Sequence, residues 1–254
     1  MSIPKVKFNV APVNSTLPMI DFFLNPSPAG WDWSNSIYKH YPELKEKLEG
    51  IKDRKKRKAI ESVFFHDIFQ KERPKLEKRT KVFQEQWDKI NDQVVKVLSE
   101  VVEQEWPRED KTVIARVSLN PICPRYIKER MFDVFYKQDP RYMQQVALHE
   151  ILHFIYFEKW KQVFPRTKEK EFDAPYLVWQ LSEMVPRVIL GDKRVQRVLK
   201  GNFHSYKIYE DLKINGRPLL AYLQEFYDNR RDFSDFLRTS FEFVKRHQAK
   251  LSKP

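Results

Sequence analysis

The sequence holds a single cysteine, Cys123, among 254 residues. No disulfide can form within the chain, which excludes a disulfide-stapled secreted scaffold and points to a reducing, cytoplasmic setting. Glycine is scarce, at 5 residues, so folds that need many glycine turns, such as propellers and dinucleotide-binding sheets, are not expected. Long apolar runs are missing. Segments such as Phe154-Ile155-Tyr156-Phe157 fall far short of a membrane span. No apolar signal core follows the opening Met1-Ser2-Ile3-Pro4-Lys5. The expectation is a soluble protein with no standard export signal and no membrane partner.

What the chain does have is apolar and aromatic surface. Hydrophobic residues make up 41% and aromatic residues 14%, and this much must be buried, so the bulk of the chain is not disordered. Lys and Arg number 47 against 35 Asp and Glu, a net charge of +12. Such a charge permits contact with anionic surfaces, yet alone it speaks to solubility rather than to a partner. The densest run, Lys52 to Lys58 (KDRKKRK), has few interleaved aromatics and no DNA-reading pattern. It reads as a solvated helix face, and nucleic acid is not an expected partner.

The expected organisation has three parts. Residues 1–30 carry Pro4, Pro12, Pro18, Pro26 and Pro28 and read as an extended arm, with a strand at Val6 to Val10. Residues 31–110 read as a helical region: short helices from Ser34 and Pro42, a helix through Phe64 and Phe69 interrupted by Pro74, and a long amphipathic helix from Phe83 to Val101. Residues 111–254 read as the core. Strands are expected at Thr112 to Leu119 and Met131 to Tyr136, separated by a proline-bearing loop, with helices at about 142–160, 175–190, 192–200 and 217–247. The fold class is therefore α+β, mostly helical, with a small mixed or antiparallel sheet before the helix at 142–160.

That helix carries the informative residues, His149-Glu150-Ile151-Leu152-His153. In this HExxH pattern, positions i and i+4 of a helix point the same way, so both imidazoles can reach one metal ion. Two neutral histidines and a carboxylate suit Zn²⁺, with a further position left open. Glu150 can then act as general base, taking a proton from water as it attacks a carbonyl. Val146, Ala147, Leu148, Ile151, Leu152, Phe154 and Ile155 make the helix apolar almost all round. Three ionisable groups inside it would be costly without a partner, and a metal is the natural one. The ordinary alternative is a pair of hydrogen-bonded core histidines.

On these residues the chain resembles the zincin metallopeptidases. Metzincins require Gly and His at the positions held here by Tyr156 and Lys159, so the resemblance is to the gluzincins, the thermolysin-like clan, in a minimal form. Several expectations follow from the resemblance. A third ligand should come from a second helix, and Glu183 is the candidate, the one acid between Pro175 and Val185. Its ordinary alternative is an ion pair with Arg187, and Asp173 is a rival ligand that reads instead as a helix cap before Ala174-Pro175. A downstream Tyr or His should stabilise the oxyanion; the segment 201–209 offers His204, Tyr206 and Tyr209, of which His204 and Tyr206 are the candidates. A peptide or protein substrate should bind in extended form, paired with the strand at Met131 to Tyr136. The resemblance implies a zinc-dependent peptidase. The alternative is a catalytically inactive zincin-like binding or regulatory protein that contacts nucleic acid through its basic surface. No oligomeric state follows from the sequence.

Overall fold

The computed structural model describes residues 3–25 and 32–251. In chain order the elements begin with β1 (Lys5–Val10), α1 (Val13–Phe23), α2 (Ser34–His40), α3 (Pro42–Leu48), α4 (Arg54–Asp88) and α5 (Asn91–Val102). Next come β2 (Thr112–Ser118), β3 (Arg125–Tyr126), β4 (Met131–Phe135) and the long α6 (Pro140–Val163). After a 3-10 turn at Glu169–Phe172 follow α7 (Leu177–Met184), α8 (Pro186–Leu190), α9 (Lys193–Val198) and α10 (Lys207–Asp211). A short hairpin, β5 (Lys213–Ile214) and β6 (Arg217–Pro218), precedes α11 (Leu219–Asp228), α12 (Phe233–Arg246) and α13 (Gln248–Leu251). The fold is α+β and mostly helical, with a small mixed sheet. Among the described residues no helix is long and apolar enough to cross a membrane.

The chain packs as two compact units, and neither follows the three sequential blocks expected. One unit joins Lys5–Lys89 to Thr112–Ala147. The other joins, among the described residues, Ile3 and Pro4 to Ile90–Lys111 and to the chain from Leu148 to Leu251. The reason lies in strand pairing. β1 is not an arm laid on a body: it pairs in parallel with β2, from Lys5 opposite Thr112 to Val10 opposite Val117. Beyond it, Val13–Phe23 is helix rather than extended chain, with Pro18 inside it. Pro26 and Pro28 lie outside the described residues.

In the first unit the sheet order is β1-β2-β4-β3, with β2 parallel to β4 and β3 antiparallel to it. Val6 and Phe8 are buried while Lys5, Lys7 and Asn9 face out, the alternation of a half-buried strand. α4 covers that face, and Phe8 meets Phe83 and Trp87 with ring centroids 6.3 and 6.4 Å apart. Pro74 does not interrupt α4, contrary to expectation. A mid-helix proline costs about 3 kcal/mol. Here Phe65, Leu76, Phe83 and Trp87 are all buried from the same helix, and that packing outweighs the lost hydrogen bond. The amphipathic pattern from Phe83 to Val101 is split in turn, at Lys89 and Ile90. At the first residue of α5 the Asn91 side chain donates to the Pro4 carbonyl at 3.2 Å.

Both edges of the sheet are managed. On β1, the Gln84 amide from α4 donates to the Val6 carbonyl at 3.1 Å and accepts from the Phe8 N–H at 2.8 Å. One side chain thus takes the place of a neighbouring strand's peptide group and closes the edge to other chains. On the far side, β3 pairs with Met131 and Phe132, and the Pro124 carbonyl accepts from the Asp133 N–H at 2.9 Å. β4 is therefore not a free edge over Met131–Asp133, where an extended substrate was expected to pair.

Between β2 and β4 lies a buried ion pair. Arg116 and Asp133 are register partners, and Arg116 Nε donates to Asp133 Oδ1 at 2.7 Å while Nη2 donates to the Tyr126 hydroxyl at 2.9 Å. Burial pushes the Asp133 carboxyl up to about 6, against the opposing pull of Arg116.

The second unit is helical. Glu103 ends α5 in left-handed backbone at φ 53°. Its carbonyl accepts from Lys159 Nζ of α6 at 3.0 Å, and its carboxylate accepts from the Phe233 N–H that opens α12 at 2.9 Å. Tyr156, Trp160 and Phe233 are fully buried, and α6 runs through this aromatic core. The helix expected over 175–190 breaks at Pro186, and the one over 217–247 breaks where Asp232 caps α12. The hairpin β5–β6 was not expected. Its turn, Asn215-Gly216, has φ of 50° and 82°, so the Asn-Gly dipeptide was the signal for it.

Candidate metal centre

α6 presents the motif from inside the protein. Leu148, Ile151, Leu152, Phe154, Ile155 and Phe157 are all buried around it. His149 and His153 stand one helical turn apart, with Nε2 atoms 3.0 Å from each other. Two ring nitrogens this close need a proton or a cation between them, because two lone pairs would repel. His153 is 1% exposed and stacks against Phe157, with centroids 6.0 Å apart and planes at 19°. His149 is 21% exposed, so the pair opens towards solvent on its side.

The third donor comes from α7. Glu183, with a side chain 5% exposed, places Oε2 3.4 Å from His149 Nε2 and Oε1 3.7 Å from His153 Nε2. Single donor atoms of the three residues all lie within 4.8 Å of one another. Zinc bound tetrahedrally at its usual 2.0–2.2 Å from N and O donors sets those donors roughly 3.3–3.6 Å apart. The His149–Glu183 separation of 3.4 Å falls in that range and the His149–His153 separation of 3.0 Å just below it, so two histidines and a carboxylate are placed to suit the ion. No other group of three or more such residues is found among the described residues. Glu150, directly after the first histidine, is buried at 7% exposure.

The other sequence candidates fall as follows. Arg187 does not pair with Glu183; its Nη1 donates to Glu210 Oε1 at 3.1 Å. Asp173 is exposed and outside the cluster. Nor does it cap α7: the helix starts at Leu177 with Tyr176 at its N-cap, and Asp173 instead ends the 3-10 turn. His204 is exposed, and its Nδ1 lies 3.2 Å from Glu210 Oε1, which occupies it outside the three-residue cluster. Tyr206 is half-buried and packs on Trp179, one turn before Glu183 on α7, with centroids 6.1 Å apart.

Ser205 and Glu210 had no sequence signal to single them out, whereas Tyr209 was the third donor of the segment 201–209, beside the candidates His204 and Tyr206. Tyr209 is fully buried beside Tyr206, and burial and then the charge of Glu183 push its phenol well above the usual range. Ser205 Oγ donates to the Glu183 carbonyl at 2.8 Å. Glu210 accepts from the Ser205 N–H at 3.1 Å. Burial raises the Glu210 carboxyl, but Ser205, His204 and Arg187 together hold it below the usual range.

Compared with known proteins, the sequence matches no family model and no curated protein, and the fold matches no solved structure.

Proposed function

We propose that this protein is a zinc-dependent peptidase of the gluzincin type. The observation that carries the reading is the convergence of His149, His153 and Glu183 from two buried helices onto one point. In this reading the three side chains hold the ion. When bound, zinc polarises a carbonyl and acidifies water. Glu150 takes the proton from the attacking water and passes it to the leaving amine, a role its position beside His149 supports. The Tyr206–Tyr209 pair next to α7 supplies the hydroxyls available to the developing oxyanion, with Tyr209 joining Tyr206 as a candidate and His204 engaged elsewhere.

The substrate in this reading is a peptide or protein. The basic run at the start of α4 adds no nucleic-acid role. Arg54 and Lys58 pair with Asp21 at 2.9 and 3.2 Å, and Arg57 Nη1 donates to the carbonyls of Leu48 and Ile51. A cytoplasmic location belongs to the same proposal and rests on the single cysteine.

The test is metal analysis of protein purified without chelator. About one zinc per chain is expected, with His149→Ala and His153→Ala both losing it. Wild-type protein that neither carries nor takes up zinc would overturn the proposal.

A further inference from the structure

We infer that Ser205, held by Glu210, is a positioning residue for Glu183, and that this clamp sets how tightly the centre binds its metal. The inference rests on the reading of His149, His153 and Glu183 as ligands.

α7 is 8 residues long and ends at Met184, because Pro186 has no N–H to carry the helix on. Glu183 therefore sits in the last turn, where carbonyls take their partners from outside the helix. A ligand in a short terminal turn is poorly held by its own helix. The Ser205 hydroxyl supplies an outside partner, donating to the Glu183 carbonyl at 2.8 Å.

Ser205 is itself fixed. Glu210, in the first turn of α10, accepts from the Ser205 N–H at 3.1 Å through Oε1. The same oxygen accepts from Arg187 Nη1 at 3.1 Å and lies 3.2 Å from His204 Nδ1. Arg187 belongs to α8, directly after Glu183's own helix. One carboxylate oxygen thus ties together the segment after the ligand and the segment that bonds the ligand's backbone. Tyr209, one turn along from Ser205, closes the arrangement as a fully buried ring.

The physical consequence concerns metal affinity more than folding. Outer partners of metal ligands restrict the orientations a ligand samples, and losing one costs about 10–100-fold in affinity. Ser205 touches the ligand's main chain, so its loss lets the end of α7 drift while the buried helical core stays packed.

The experiment is competitive zinc titration, with the visible spectrum of the cobalt-loaded protein as an independent readout of ligand geometry. Wild type, Ser205→Ala, Ser205→Thr and Glu210→Gln are compared, with the melting temperature of each metal-free protein recorded. Ser205→Ala is expected to bind zinc about tenfold or more weakly and to alter the cobalt spectrum. Ser205→Thr keeps a hydroxyl and restores both. Glu210→Gln weakens binding in the same direction, and provides the test should Ser205→Ala not fold. Zinc affinity of Ser205→Ala and Glu210→Gln within threefold of wild type, with unchanged cobalt spectra, overturns the clamp and leaves the metal centre standing. A wild-type protein that binds neither ion overturns the ligand reading and the clamp with it, a failure visible before any variant is compared.

Discussion

Glu183→Gln separates a metal ligand from a structural carboxylate, because the two roles predict opposite outcomes with and without metal. The substitution keeps the side chain's shape and removes its charge. Without metal, a buried carboxylate facing two imidazoles at 3.4 and 3.7 Å is an expensive group to keep in the interior. With both imidazoles neutral, a neutral amide of the same shape removes the desolvation cost of that charge. The metal-free variant is therefore expected to melt at or slightly above the wild-type temperature. With metal the sign reverses. A metal present at 100 times its dissociation constant stabilises the wild type by about 2.7 kcal/mol. If Gln weakens binding by about a hundredfold, the upper end of what even outer partners cost, the same metal concentration stabilises the variant by only about 0.4 kcal/mol. The difference, about 2.3 kcal/mol, corresponds to roughly 5–9 °C for a chain of this size. The assay is differential scanning calorimetry of both proteins in chelator and in a zinc series. A metal-free variant destabilised by the roughly 3–5 kcal/mol of a broken buried ion pair, with its zinc-induced shift intact, would refute the ligand assignment.

Three further outcomes concern the fold. Among the described residues the buried Tyr156 hydroxyl has no hydrogen-bond partner, so Tyr156→Phe is expected to stabilise the protein by about 1 kcal/mol in urea titrations; a loss of that size would show that the hydroxyl is bonded. Gln84→Ala removes both hydrogen bonds that close the β1 edge, and is expected to cost about 1–2 kcal/mol and to increase concentration-dependent association by light scattering. An unchanged midpoint and an unchanged scattering signal would count against the edge role. Asp133 titrates near 6 in the folded protein, above its ordinary value of 3.8, so the folded state holds the extra proton between those values. Its contribution is fully present below about pH 4 and is lost as pH rises through about 6. Wild-type stability relative to Asp133→Asn should fall across that window, and a difference that rises instead would reverse the assignment.

Local patterns were legible in the chain, and long-range pairings were not. The alternation at Val6 to Val10 and the β-branched run from Thr112 marked strands because period two is a local property. That β1 pairs with β2, more than 100 residues on, is not local, and the N-terminal stretch read as an arm. Pro74 shows the same limit: propensity argues for a break, and only the burial of Leu76 and Phe83 overrides it. At the site, His149 and His153 were legible from helical spacing alone, and Glu183 stood out as a lone acid in an apolar stretch. Arg187 lies four residues from Glu183, so spacing suggested a pair, but α7 ends before Pro186 and Arg187, in α8, donates to Glu210 instead. Ser205 gave no signal, since a serine in a loop acquires its role only from what the fold brings against it.

The central claim is that this centre hydrolyses peptides with Glu150 as base, and it is tested most directly on one variant. Zinc content and peptide hydrolysis are measured side by side for wild type and Glu150→Gln. Glu150 is not among the three converging donors, so zinc should remain at near wild-type occupancy. Hydrolysis should fall on the order of 10² to 10⁴, the usual loss when a general base is removed. Hydrolysis that survives Glu150→Gln, with zinc still bound, would contradict the mechanism.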